Sequence, residues 1–234
     1  FPTRRSSDLD VDFDGLQTHY WLPNWPARLT GNTKSSGIWR KNDHQLDFMQ
    51  TSLQGDLKAL PLQASGDLHL DLQPTGQFPH FQAHQVSVDW GKNHLGIEGG
   101  LSQTWDVTVD NQFNDLATLD TRLKGQLSGV VVLQGAEKTP ALTLNLSGEQ
   151  LQFQQMGASS LSVSGTLPEL GEGAGFLQVS AQKIHAMNRV LPEFGLVLEG
   201  TRAAHQISWQ MIAEPVTAEG VLQGGLDNQL NWQG

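Results

Sequence analysis

The feature that most constrains this chain is a two-residue alternation of apolar and polar side chains, repeated along most of its 234 residues. Successive residues of an extended strand point to opposite faces, so the alternation describes strands with one dry face and one wet face. Leu68, Leu70 and Leu72 alternate with Asp67, His69 and Asp71, and Leu142, Leu144 and Leu146 alternate with Thr143, Asn145 and Ser147. The same reading covers Leu60, Leu62 and Ala64, then Val86, Val88 and Trp90, then Trp105, Val107 and Val109. It returns at Leu177, Val179 and Ala181, and again at Ile207, Trp209 and Met211. These apolar positions are the predicted lining of one continuous dry surface.

An apolar residue, a polar residue and a glycine recur together, as in Leu53-Gln54-Gly55, Leu123-Lys124-Gly125, Leu146-Ser147-Gly148, Val163-Ser164-Gly165, Leu198-Glu199-Gly200 and Leu222-Gln223-Gly224. Read as strand ends with glycine supplying the turn, they space the turns as a meander of antiparallel strands requires. Parallel pairing would need long crossovers, which the pattern lacks. At this spacing the usable chain makes roughly 18 strands, an elongated sheet if it does not close. Helical pattern is confined to Asn114–Leu119, with Asn114 and Asp115 as caps, and to His185–Leu191. The expected fold is all-β: an elongated, mainly antiparallel meander curled into an open groove with an apolar concave face and one or two very short helices.

Composition supports this. Charged residues make up 16% of the chain, against about 25% in soluble domains, so Gln, Ser, Thr, Asn and Gly must cover the wet face. A net charge of −10 provides no basic stripe for phosphate backbones, which sets nucleic acid aside. The chain has no cysteine, which excludes disulfides and thiolate metal sites. No run of about 18 apolar residues could span a bilayer as a helix, so any membrane anchor is expected outside this chain. Phe1 to Asp8 reads like one frame of a sequencing-adapter oligonucleotide and is set apart. Residues 9–234 are then expected to be one continuous segment of a longer protein, cut at both ends.

Chemistry-bearing motifs each have a plainer explanation. Asp10, Asp12, Asp14 and Gly15 open like a calcium loop, yet the closing glutamate position holds Trp21 and the interleaved Val11 and Phe13 describe a strand. His80 and His84 have the helical zinc spacing, but the following Gln85-Val86-Ser87-Val88 is a strand pattern in which i and i+4 lie about 13 Å apart. Gly171, Gly173 and Gly175 precede strand-like Phe176-Leu177-Gln178-Val179 and not the helix that a phosphate loop needs. Asn145-Leu146-Ser147 fits a glycosylation sequon on spacing alone. There is no Gly-x-Ser-x-Gly elbow and no triad or paired-carboxylate arrangement distinct from scatter. The reading is non-enzymatic, with no cofactor and no metal.

The stretch Gly125-Gln126-Leu127-Ser128-Gly129-Val130-Val131-Val132-Leu133-Gln134-Gly135, continuing through Pro140-Ala141-Leu142, resembles the Gly-x-Leu-x-Gly, Leu-x-Gly, Pro-x-Leu cadence of the TamB and AsmA-like family. Val88-Asp89-Trp90-Gly91-Lys92-Asn93-His94-Leu95, Gln103-Thr104-Trp105-Asp106-Val107 and the turn at Asp115–Leu119 are similar to that family too, and the resemblance covers residues 10–234. It implies a curled β-groove in the periplasm, anchored to the bacterial inner membrane by a segment outside this chain and reaching toward the outer-membrane barrel TamA. It further implies that phospholipid acyl chains travel along the groove, and that the parent supports assembly of autotransporters and other outer-membrane proteins. A different class of protein fits the alternation as well: an adhesin-like sandwich whose apolar faces close on each other in a dry core.

Overall fold

The computed structural model describes residues 6–20, 23–40, 43–72, 79–186, 189–213, 215–226 and 232–233. Trp21, at the calcium-loop closing position, lies outside them. So do Phe1 to Arg5 and the Met187-Asn188 pair. The strands are β1 (Ser6–Gln17), β2 (Ala27–Arg40), β3 (Asp43–Leu57), β4 (Leu60–Leu72), β5 (His80–Trp90), β6 (Asn93–Leu101), β7 (Thr104–Phe113) and β8 (Leu123–Ala136). They continue as β9 (Pro140–Phe153), β10 (Met156–Leu167), β11 (Gly175–Ala186), β12 (Arg189–Gly200), β13 (His205–Ala213), β14 (Val216–Leu226) and the short β15 (Trp232–Gln233). All fifteen belong to one sheet whose spatial order is the chain order. The sheet begins at β1 and ends at β15 without pairing them, so it is an open antiparallel meander and not a barrel. It divides into two compact units, Phe1–Val109 and Asp110–Gly234.

Helix is nearly absent among the described residues, as the alternation requires. Leu116–Thr118 forms a single 3₁₀ turn capped by the Asp115 carboxylate, which accepts from the Ala117 amide at 3.1 Å. Asn114 is not the cap. The second expected helix is overturned: His185 and Ala186 finish β11, and Arg189 to Leu191 begin β12. His185 and Ala186 pair with Val190 and Arg189, and that ladder satisfies the backbone which a helix would otherwise have satisfied. A short turn at Pro168–Gly171 precedes β11, so the glycines from Gly171 onward lead into a strand.

The apolar-x-glycine triplets also need correction. Gly55, Gly125, Gly148, Gly165 and Gly224 lie inside strands and not at turns, and only Gly200 ends one. The reason is close approach. At Gly125, with φ of +101°, an added Cβ would sit 2.6 Å from the Glu149 carbonyl oxygen, and at Gly165 it would collide with the Phe176 carbonyl. The neighbouring strand bends into the space a side chain would take. Gly125→Ala is therefore expected to destabilise the full-length protein by more than about 1 kcal/mol, whereas Gly195→Ala, where nothing lies within 4 Å, should be neutral or slightly stabilising. Urea unfolding of both variants checks this, and equal costs would mean the close approach is not what selects glycine.

Candidate functional site

Four strands carry an extra residue that shifts their register against a neighbour. The shift lies between Phe13 and Leu16 in β1, between Phe48 and Thr51 in β3, between Ala83 and Val86 in β5, and at Gln150 in β9, where Gln150 and Leu151 oppose Gly125. The inserted positions include left-handed backbone at Gly15 (φ 68°), Gln50 (φ 49°), Gln85 (φ 50°) and Gln150 (φ 51°). Without compensation, one extra residue turns every following side chain to the other face. The sequence compensates: the apolar series steps by three from Phe13 to Leu16 and from Ala83 to Val86, and the inward-facing series does so from Phe48 through Thr51 to Leu53 and from Gly148 to Leu151.

The bulge amides of the first unit find side-chain partners on the adjoining strand. The Gly15 amide donates to the Thr30 hydroxyl at 3.2 Å, the Gln50 amide to Asp67 at 2.7 Å and the Gln85 amide to Glu98 at 2.6 Å.

With phase restored, the dry face is continuous within each unit. In the first, Leu46, Leu70, Phe81 and Leu101 form one cross-strand row, and Leu53, Ala64, Val88 and Leu95 another. Leu62 stands opposite Trp90, and Leu68 joins Phe48 to Ala83. In the second unit, Leu146, Val163, Val179, Leu196 and Trp209 make one row. Leu177, Leu198 and Ile207 make a second, and Ala181, Phe194 and Met211 a third. Leu144 lies between Val131 and Gly165, and Leu142 between Leu133 and Leu167.

Trp90 and Val107 are buried, while Leu60, Leu62, Leu68, Leu70, Leu72, Val86, Val88, Trp105, Val109, Leu142, Leu144, Leu146, Leu177, Val179, Ile207, Trp209 and Met211 are half-buried. A cleft of about 300 Å³ opens on this face in the first unit, lined by Phe13, Phe48, Leu53, Ala64, Leu68 and Val86. Buried Thr33 sits in the same wall, its hydroxyl paired with that of Thr51 at 2.8 Å. Reading strict alternation misses Phe13, Phe48, Leu53, Phe81, Ala83 and Leu151. The signal that would have found them is the three-residue step.

A model of the family described as TamB, N-terminal domain, matches residues 6–234. The chain belongs to the TamB family. It is 27% identical over 229 residues to the translocation and assembly module subunit TamB of Haemophilus influenzae, a match that covers 97% of this chain and 17% of that relative. The segment thus spans less than a fifth of that TamB's length. No solved structure matches it.

The wet face of this TamB-family segment carries histidine–carboxylate pairs between neighbouring strands. His69 pairs with Asp47, which also accepts from Ser36 at 2.9 Å, and His84 pairs with Glu98 at 2.7 Å. His94 meets Asp89 at 2.8 Å across the β5–β6 turn. Partial burial raises the Asp47 carboxyl, but the hydrogen bonds from His69 and Ser36 outweigh it and leave the group below its ordinary value. Glu98 is lowered by the Gln85 amide and then by His84, and His84 is raised by its hydrogen bond to Glu98 and that carboxylate's charge. His80 stands opposite Asp71 and His84 opposite Asp67 on one strand, and among the described residues no three ligating side chains converge on a metal position.

The His84–Glu98 contact has a definite pH window. A lowered carboxylate contributes above its unfolded-state pKa and loses that contribution as pH falls through its folded value. A raised histidine contributes below its unfolded-state pKa and loses that contribution as pH rises through its folded value. The pair is complete only between the lowered Glu98 value and the raised His84 value. NMR titration is expected to place the His84 imidazole above the ordinary histidine range, and Glu98→Gln should return it there. An unchanged titration would mean the pair does not persist in solution.

Proposed function

We propose that this segment is part of the inner-membrane-anchored, periplasm-spanning subunit of a translocation and assembly module, and that its dry face carries phospholipid acyl chains toward the outer membrane. The anchor, and the contact with the outer-membrane barrel TamA, belong to other parts of the parent chain, which also supports outer-membrane protein and autotransporter assembly. The segment performs no catalysis in this reading. Its work is to provide apolar cover.

The observation that carries the proposal is the dry face that stays in phase across every bulge yet remains half-open. Moving an acyl chain through water costs about 0.8 kcal/mol per methylene, so a carrier crossing an aqueous gap needs apolar cover without interruption. A polar gap one strand wide would impose that cost at a single point. Among the described residues only Ala83, Trp90, Leu101, Val107, Leu116 and Ala181 form a buried apolar core, and of the large side chains only Leu101 is fully sealed. This favours a face that accepts a ligand over the dry core of an adhesin-like sandwich.

Photo-crosslinking residues placed at Leu70, Val88 and Leu144 of the full-length protein in cells are expected to capture phospholipid, whereas those at His69, Ser87 and Thr143 should not. Leu144→Asp should reduce capture roughly tenfold, since a carboxylate in an apolar lining is costly to desolvate. Thr143→Asp should leave it unchanged. Equal labelling of both faces would sink the carrier reading.

A further inference from the structure

The turn between β3 and β4 contains only Lys58 and Ala59, and both adopt the left-handed conformation, with φ of 51° and 62°. A two-residue hairpin of this kind favours Asn-Gly, which enters that region at little cost; lysine and alanine do not. Surrounding contacts hold Lys58 in place against that cost. Its amide donates to the Pro26 carbonyl at 2.8 Å, and its ammonium lies 3.6 Å from the centroid of Trp25 and 5.7 Å from that of Trp90. The two rings are 5.7 Å apart, and Trp90 is locked by its indole N–H donating to the Leu57 carbonyl at 2.8 Å. Trp90 is buried opposite Leu62, on the dry face. The Lys58 amide hydrogen bond and the paired indoles therefore hold a cation at the lip of the apolar surface, where Leu60 and Leu62 begin.

An ammonium over aromatic faces keeps its charge and can still donate hydrogen bonds outward. Among the described residues no carboxylate pairs with Lys58, although the chain carries a net charge of −10. An unpaired cation stacked on rings that continue into an apolar wall is complementary to an amphiphile, with anion at the lip and hydrocarbon on the face. We propose that Lys58, Trp25 and Trp90 form a headgroup station that binds the phosphate of a phospholipid whose acyl chain lies along Leu60 and Leu62. This rests on the carrier reading above and adds to it a fixed point and a preference for charged heads.

The test uses the full-length protein with a photo-crosslinking residue at Leu62. Capture of phosphatidylglycerol is compared with capture of diacylglycerol bearing the same chains, in wild type, Lys58→Gln and Lys58→Arg. In wild type, phosphatidylglycerol should be captured in preference to diacylglycerol, and more weakly as salt is raised. Lys58→Gln should lower phosphatidylglycerol capture about fivefold, toward the diacylglycerol level, with diacylglycerol unchanged, and Lys58→Arg should restore it. No loss in Lys58→Gln overturns the station, and so does an equal loss of both lipids, which would make Lys58 a packing residue of the lip. Displacement by glycerol phosphate as effective as by phosphatidylglycerol would make it a site for free phosphate and overturn the lipid assignment. Failure of wild type to capture either lipid would bring down the carrier reading, and the station with it.

Discussion

One geometric rule governs this molecule: side chains of a strand alternate faces with period two, so an inserted residue turns the rest of the strand over. The TamB-family segment inserts such residues in β1, β3, β5 and β9 and keeps a single dry face in both units. It does so because the inward-facing pattern takes a three-residue step at each insertion. Bulges increase local twist and bend a strand, so these insertions deform the sheet where they occur. Left-handed glutamines at three of the four sites show that the backbone is held in a conformation costing about 1–2 kcal/mol each. Part of the compensation is visible in the carboxylates of Asp67 and Glu98, which accept the Gln50 and Gln85 amides.

Acidic side chains on the wet face thus have a structural task. They satisfy amides that the ladder leaves unpaired, and two of the same carboxylate-bearing strands exchange histidine pairs across the sheet. Such exposed pairs contribute little individually. Their position is what matters, because Glu98 holds both the Gln85 amide and the His84 imidazole and so ties the bulge of β5 to β6. The dry face shows the complementary arrangement: Thr33 is its buried polar group in the cleft wall and is paired with Thr51, leaving the apolar lining without an orphaned hydroxyl there.

A sheet with one apolar face must cover it, and sandwiches do so with a second sheet. Here the described strands make a single sheet in chain order, and apart from a few buried residues such as Trp90, Leu101 and Val107 its apolar lining stops at half-burial. A face of that kind suits a mobile apolar ligand better than a dry interior, because whatever covers it can leave. The proposed station at Lys58 adds polarity to an otherwise uniform surface: a cation at one end of the strands, hydrocarbon along them.

Alternation by itself determined the all-β class and the antiparallel meander, because period-two patterning is a property of each strand alone. It also read Asp10–Asp14 and His80–Val88 as strand pattern, and both stretches stand in strands. What only the tertiary structure decided depends on neighbours. Gly55, Gly125 and Gly165, read as turns, lie inside strands where adjoining backbone occupies the space of a Cβ, which no local pattern announces. The stretch His185–Leu191 reads locally as a helical turn, but His185 and Ala186 pair with Val190 and Arg189, since the β11–β12 ladder outweighs weak helical propensity. Trp25, Lys58 and Trp90 are more than thirty residues apart in succession, and they meet because the meander returns each strand to the same edge of the sheet.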